Sequence, residues 1–294
     1  MSVTRAMRKH TPHEESAQGP DLGEEARTAP KAAPAGQRVD VSAGVVSHEG
    51  QERARNEDSV IALDLGAPGE QQGVQLYAVA DGAGGMAAGE LASRLTVRAV
   101  KHSLAGSIAD AVAQTDDPYA EWLAAAVRAA NYLVHVQAKH DRKRMASTLV
   151  MALIAGDQVH IANVGDSRAY LIEEDGLRQI TQDHSASQEL LRAGLITTDQ
   201  AKEHPFGHVL TRAIGPEDDV VPDLFTEQVR SGDRLLLCSD GLTNMVAEAE
   251  IWRIVREAPD PQAAAQALID AANRAGGRDN ITAVVVEIHS PAGG

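Results

Sequence analysis

Five acidic clusters, each beside a run of apolar residues, carry the chemistry this chain can do: Asn56-Glu57-Asp58, Asp81-Gly82, Gly165-Asp166-Ser167, Asp240-Gly241 and Asp279-Asn280. Two of them read alike. Val74–Ala80 leads into Asp81-Gly82, and Arg234-Leu235-Leu236-Leu237-Cys238-Ser239 leads into Asp240-Gly241. A buried strand ending in Asp-Gly would hold a carboxylate rigidly at its tip while the glycine lets the backbone turn away. If several such tips meet, they repel one another severely unless cations lie among them. Oxygen donors of this kind suit hard cations, Mg²⁺ or Mn²⁺. The arrangement points to metal-assisted hydrolysis.

The elements that must position these carboxylates follow from apolar periodicity. Strands are expected at 39–47, 59–64, 74–80, 148–155, 158–164, 169–173, 224–229, 234–239 and 281–288. Gly156-Asp157 joins two of them as a hairpin. Helical spacing is expected at 88–104 and 118–140, where Leu123, Val127, Ala130 and Val134 recur, and again at 248–257 and 261–274. Residues 181–215 are polar, with short helices expected near 188–193 and 198–203. Hairpins alternate with helix pairs, without the regular strand–helix repeat of a doubly wound sheet. Antiparallel sheets with helices on their outer faces fit best. Residues 1–38 are rich in Ala, Pro, Glu, Gly and Arg and poor in branched aliphatics, so a disordered tail is expected, followed by one domain over 39–290.

Bulk composition narrows the function classes. The formal net charge of −15 over 294 residues disfavours a nucleic-acid partner and an anionic membrane surface. No apolar run approaches the roughly 20 residues that a membrane span needs. Cys238 is the single cysteine, which leaves no disulfide framework or thiolate zinc site within one chain and points to the cytoplasm. The residues after Cys238 supply a carboxylate and no arginine to cradle phosphate, so this thiol reads as core rather than as a nucleophile.

The ordered series Arg53-x-x-Asn56-Glu57-Asp58, Asp81-Gly82-x-Gly84-Gly85, Ser147-Thr148-Leu149, Gly165-Asp166-Ser167-Arg168, Thr181-x-Asp183-His184-Ser185, Leu210–Gly215, Cys238–Leu242 and Asp279-Asn280-Ile281-Thr282 resembles the bacterial metal-dependent serine/threonine protein phosphatases of type 2C, the PPM family. The resemblance implies an α/β fold of α+β type: a four-layer α-β-β-α sandwich of two mainly antiparallel sheets flanked by helix pairs, with a helical flap over residues 183–215. It implies a binuclear Mn²⁺ or Mg²⁺ centre, with Asp81 bridging, Glu57 and the Gly82 carbonyl completing one site, and Asp240 and Asp279 holding the other metal. Asp58 would orient the water, and Arg53, read on the same strand end, would bind phosphate oxygens with its planar fork.

Three departures accompany the resemblance. Asp166 would contribute to a third metal site, but Asn244 stands where the family has a second aspartate, and a neutral amide is a poorer ligand for a hard dication. Ala83 and Met86 replace a methionine and a histidine usual in the glycine-rich stretch, leaving His184 as a candidate acid for the leaving group. In the flap, Arg212 and His208 are candidates for substrate contact, although Gly207-His208 replaces a common Arg-Asn pair. The activity implied is hydrolysis of phosphoserine and phosphothreonine on proteins by in-line attack of metal-activated water, on a monomer that acts on substrates of a serine/threonine kinase. The alternative is a weakened relative that binds phosphoproteins without turning them over.

Overall fold

A computed structural model describes residues 39–66, 73–84, 87–109, 118–202, 204–207 and 209–291. The expectations for the 1–38 tail, Gly85, Met86, Glu203 and His208 fall outside the described residues.

In chain order the elements are β1 (Asp40–His48), β2 (Asp58–Asp64), β3 (Gln75–Ala83), α1 (Ala87–Ala109), α2 (Tyr119–Asp141), β4 (Ala146–Ser147), β5 (Leu149–Ala155), β6 (Gln158–Val164), β7 (Arg168–Ile172) and β8 (Leu177–Gln179). They continue with α3 (Ala186–Arg192), α4 (Thr198–Lys202), β9 (Asp223–Gln228), β10 (Arg234–Cys238), α5 (Asp240–Thr243), α6 (Glu248–Glu257), α7 (Pro261–Arg274) and β11 (Ile281–His289). One sheet runs β1-β11-β10-β7-β8; the other runs β2-β3-β5-β6-β9, with β4 added to β3. All of these strand pairs are antiparallel.

Strand alternation creates three apolar layers. Along β3 and β5, Tyr77, Val79, Val150 and Ala152 face inward to meet Ala169, Leu171, Leu235, Leu237, Val284 and Val286 of the opposing sheet. The alternate residues, Leu76, Ala78, Leu149 and Met151, face outward to α1 and α2. In the other sheet Tyr170, Leu236, Cys238, Ala283 and Val285 face α6 and α7. The result is a four-layer α-β-β-α sandwich whose central strands are buried on both faces, which is why they read as continuous apolar runs.

The helices are fixed by the same bookkeeping. On α2, Leu123, Ala126, Val127, Ala130 and Val134 form the buried stripe at three- and four-residue spacing. On α7, Asp260 caps the start by accepting from Ala263 N at 2.8 Å, and Pro261 follows at the first helical position. Such a cap stabilises a helix by about 1 kcal/mol.

One expectation about these strand ends is corrected. The strand that carries Asp81 does not stop there: β3 runs on to Ala83, because Gly82 and Ala83 pair with Ser147 and Ala146 of β4. The chain turns only at Gly84, where φ is +146°. Asp240 does stand at a strand tip, but it opens the short helix α5 directly.

Candidate metal centre

Register brings the first two carboxylates together. Asp58 opens β2 and lies opposite Asp81 on β3. Asp58 is buried, and its Oδ2 accepts from Ser239 Oγ at 2.8 Å and Thr282 Oγ1 at 2.7 Å. Both donors belong to the other sheet's end, next to Asp240 and Asp279, so this one oxygen ties the two sheets together where the acidic clusters meet. Its Oδ1 is buried with no hydrogen-bond partner among the described residues.

The loop before β2 is held by Asn280. Its Oδ1 accepts from Glu57 N at 2.8 Å, and its Nδ2 donates to Glu49 O at 2.9 Å and Arg55 O at 2.8 Å. That clamp places Glu57 beside β3, where Gly82 N donates to Glu57 O at 3.2 Å. Arg53 sits in this loop rather than on the strand end expected for it, and its Nη2 donates to Asp279 Oδ2 at 2.7 Å. The strand begins only at Asp58, since the Asn280 contacts occupy the backbone groups around Arg55 and Glu57 that a ladder would use.

Gly89 on α1 was not expected to matter. A methyl group there would overlap Glu57 Oε2 and stand 2.7 Å from the Gly82 carbonyl oxygen. Both oxygens therefore close on one small region, reachable only because residue 89 lacks a side chain. Gly241 plays a similar part at the other side: a methyl group there would collide with Asn280 O and lie 3.5 Å from Asp279 Cβ. Asp240 and Asp279 are thereby brought side by side.

Electrostatics records the same convergence. Burial pushes the Asp58 carboxyl up to about 7, with Asp240 and Asp279 adding to the shift against the lowering bonds from Thr282 and Ser239. Burial raises Asp81 well above the carboxylate range, and Asp58, Asp240, Asp166 and Asp279 all raise it further. Asp166 is raised to about 8, by burial first and then by Asp240 and Asp183. Glu57 is raised by burial and by Asp279, against Arg53. The candidate carboxylates share one field.

They do not form a closed cage. Among the described residues, no three His, Cys, Asp or Glu side chains surround a common point at ligand spacing. Two of the carboxylates bond to nearby donors: Arg53 holds Asp279, and Asn244 Nδ2 donates to Asp240 Oδ2 at 3.0 Å. The donor set still fits divalent cations. It offers an unpartnered Asp58 oxygen, a carboxylate and a carbonyl facing one region at Gly89, and mutually repelling acids, all hard oxygen ligands.

His184 does not occupy an acid's position. It is fully buried; Nδ1 accepts from Gly165 N at 3.1 Å, and Nε2 then carries the proton toward Asp223 Oδ2 at 3.1 Å. Burial lowers its pKa, so the ring is a neutral structural tie. Arg212 is also engaged, through Nη1 with Asp223 Oδ1 at 2.6 Å. The Asp183 beside His184 is gripped by Arg168 through Nε at 2.9 Å and Nη2 at 2.7 Å, which explains why those two motifs belong together.

This fold and this acidic centre define a phosphatase class. The protein phosphatase 2C family profile matches residues 48–272, and the chain belongs to that family. Among its relatives, the serine/threonine phosphatase stp of Listeria innocua is 42% identical over 211 residues, covering 71% of this chain and 82% of the relative. The serine/threonine protein phosphatase PstP of Mycobacterium tuberculosis is 38% identical over 247 residues, covering 82% of this chain and 44% of its own length. The crystal structure of that PstP superposes with a TM-score of 0.75 at 37% identity, covering 85% of this chain and 99% of that one. A structure of the PstP catalytic domain in complex with two manganese ions gives 0.71 at 36% identity, over 85% of this chain and 99% of that one. The chain is a serine/threonine protein phosphatase acting on phosphoproteins, and the binding-only alternative finds no support among these relatives. Among the described residues no helix is long and apolar enough to cross a membrane.

Proposed function

We propose that residues 39–290 form a catalytic domain that hydrolyses phosphoserine and phosphothreonine with two Mn²⁺ or Mg²⁺ ions held by Glu57, Asp81, the Gly82 carbonyl, Asp240 and Asp279. The observation that carries this reading is geometric: Asp81 lies opposite Asp58, whose buried Oδ1 has no hydrogen-bond partner among the described residues, while Glu57 Oε2 and the Gly82 carbonyl close on one region at Gly89. When bound, a pair of divalent cations makes a water nucleophilic near neutral pH and neutralises the phosphate dianion.

The chain's own residues supply the rest. Asp58, with Oδ2 fixed by two hydroxyl donors, keeps Oδ1 as a preset acceptor for the attacking water. Arg53 exchanges Asp279 for two phosphate oxygens, an exchange its planar fork suits and its exposure permits. Gly89 and Asn280 hold the loop and carbonyl in place. Asp166 shares the field of Asp240, whose Oδ2 accepts from the amide of Asn244 rather than facing a further carboxylate, so a third cation would be held weakly there. Natural partners on this reading are a serine/threonine kinase and its substrates, met by a cytoplasmic monomer.

Calorimetric titration of EDTA-stripped protein with Mn²⁺, paired with hydrolysis of a serine-phosphorylated protein, tests the centre. Two binding equivalents and EDTA-reversible turnover are expected. A folded protein that binds no divalent ion, or that turns over equally in EDTA, would overturn it.

A further inference from the structure

Residues 185–210 leave the sandwich and return to it through one neck. Ser185 bridges Leu210, Ala186 N donates to Val209 O at 2.9 Å, and Thr211 N donates to His184 O at 2.9 Å. The side chains beside that neck converge on Asp223 at the start of the edge strand β9. Its Oδ2 accepts from His184 Nε2 at 3.1 Å and its Oδ1 from Arg212 Nη1 at 2.6 Å, so one carboxylate staples both ends of the excursion. Arg212 Nη1 also donates to Val221 O at 3.2 Å, fixing the guanidinium to the approach of β9.

The excursion carries apolar side chains that water should not favour. Leu195, Phe206 and Val209 are exposed by 70%, 61% and 49%. Its neck adjoins the acidic centre, because His184 N donates to Gly165 O at 2.9 Å, one residue before Asp166. Exposed apolar side chains on a segment whose neck adjoins the reaction centre of an enzyme acting on proteins have an occupant at hand: the apolar residues flanking the phosphorylated side chain.

We infer that Asp223 is a positioning residue that, by joining His184 to Arg212, sets the pose of the 185–210 segment against a phosphoprotein substrate. The inference rests on the proposed placement of Asp166 in the reaction centre. The Gly165-Asp166 turn has anchors besides the His184 ring that Asp223 holds. Asn163 Nδ2 donates to Gly165 O at 3.2 Å, and Gly165 packs so closely on Thr148 that a methyl group would lie 2.7 Å from Thr148 Cβ. Loss of the staple therefore loosens the segment and spares the centre.

The test uses the full chain with Asp223→Ala and Asp223→Asn, each checked by thermal unfolding. Phosphorylated casein and p-nitrophenyl phosphate are the substrates. Asp223→Ala should raise KM for casein about tenfold and leave kcat/KM for the small ester within about twofold. Amide hydrogen exchange should quicken over residues 186–210 and stay unchanged in β3 and β10. Asp223→Asn keeps an acceptor for one partner and should fall between. Equal losses on both substrates, or unaltered exchange in the segment, would overturn the inference. If the alanine variant does not fold, the same two readings on Asp223→Asn decide. Wild-type hydrolysis of p-nitrophenyl phosphate with Mn²⁺, measured first, tests the phosphatase centre separately, and the exchange comparison does not depend on it.

Discussion

Thr282 Oγ1 donates to Asp58 Oδ2 across 2.7 Å, joining β11 of one sheet to β2 of the other. The same hydroxyl also contacts Ser47 Oγ at 2.7 Å, so Thr282 links β1 to β11 and to the buried acid. Thr282→Val keeps the shape and removes the donor. It should cost about 1 kcal/mol of stability, the usual net worth of one hydrogen bond, since Ser239 still serves the acceptor. It should also lower kcat more than it raises KM, because Asp58 loses one of two restraints. Chemical denaturation with steady-state kinetics checks both.

Asp81 is held among like charges, and its removal should separate function from folding. Asp81→Asn should abolish turnover while the metal-free variant melts at or above the wild-type temperature, since repulsion is relieved. Manganese should raise the melting point of the wild type and not of the variant. A metal-free variant melting well below wild type would contradict the charge argument.

Stability of the metal-free protein should fall as pH rises. Asp58 at about 7 and Asp166 at about 8 hold their protons more tightly when folded than their ordinary value of 3.8. Their stabilising contribution is complete below the unfolded pKa and is lost as pH climbs through the folded values. Melting in EDTA from pH 5 to pH 9 should therefore decline, and saturating Mn²⁺ should flatten the decline. A rise across that range would refute the shared-field picture.

Arg53→Ala should raise KM for a small phosphomonoester about tenfold with a smaller change in kcat, the pattern expected when a ground-state phosphate contact is lost. Arg53→Lys should recover only part, because a point charge cannot bind two oxygens in one plane. Unchanged KM in both variants would place the phosphate elsewhere.

Gly89→Ala puts a methyl group against Glu57 Oε2 and the Gly82 carbonyl. Mn²⁺ affinity by calorimetry should drop by at least about tenfold, the size of effect seen when the groups that orient ligands are disturbed. Equal affinity would show that Glu57 and Gly82 do not share a cation.

Most of the sandwich was legible because its strands and helices are long and periodic. Tyr77–Val79 and Leu235–Leu237 alternate between two buried faces, and α2 and α7 show clean apolar stripes. β4, β8 and α5 were missed because two to four residues carry no period. The acids were legible as types flanking strands. Their supports were not: Ser239, Thr282 and Asn280 reach Asp58 and its loop through contacts 181 to 231 residues apart in sequence, and Gly89 acts by lacking a side chain. Ser239, Asn280 and Thr282 stood inside quoted motifs, which was the available signal for them. Asp81-Gly82 misled because the pairing of β4, invisible in sequence, carries β3 past its glycine. His184 misled for a related reason, since burial and Asp223 turn a titratable ring into a fixed tie.

Cys238 lies two residues before Asp240, yet it points to the opposite side, under α6 and α7, fully buried and with its thiol pushed up to about 12. A thiol that stays protonated and sealed offers peroxide and alkylating reagents nothing to attack. Oxidative conditions that silence thiol-dependent phosphatases therefore find no thiol handle in this centre.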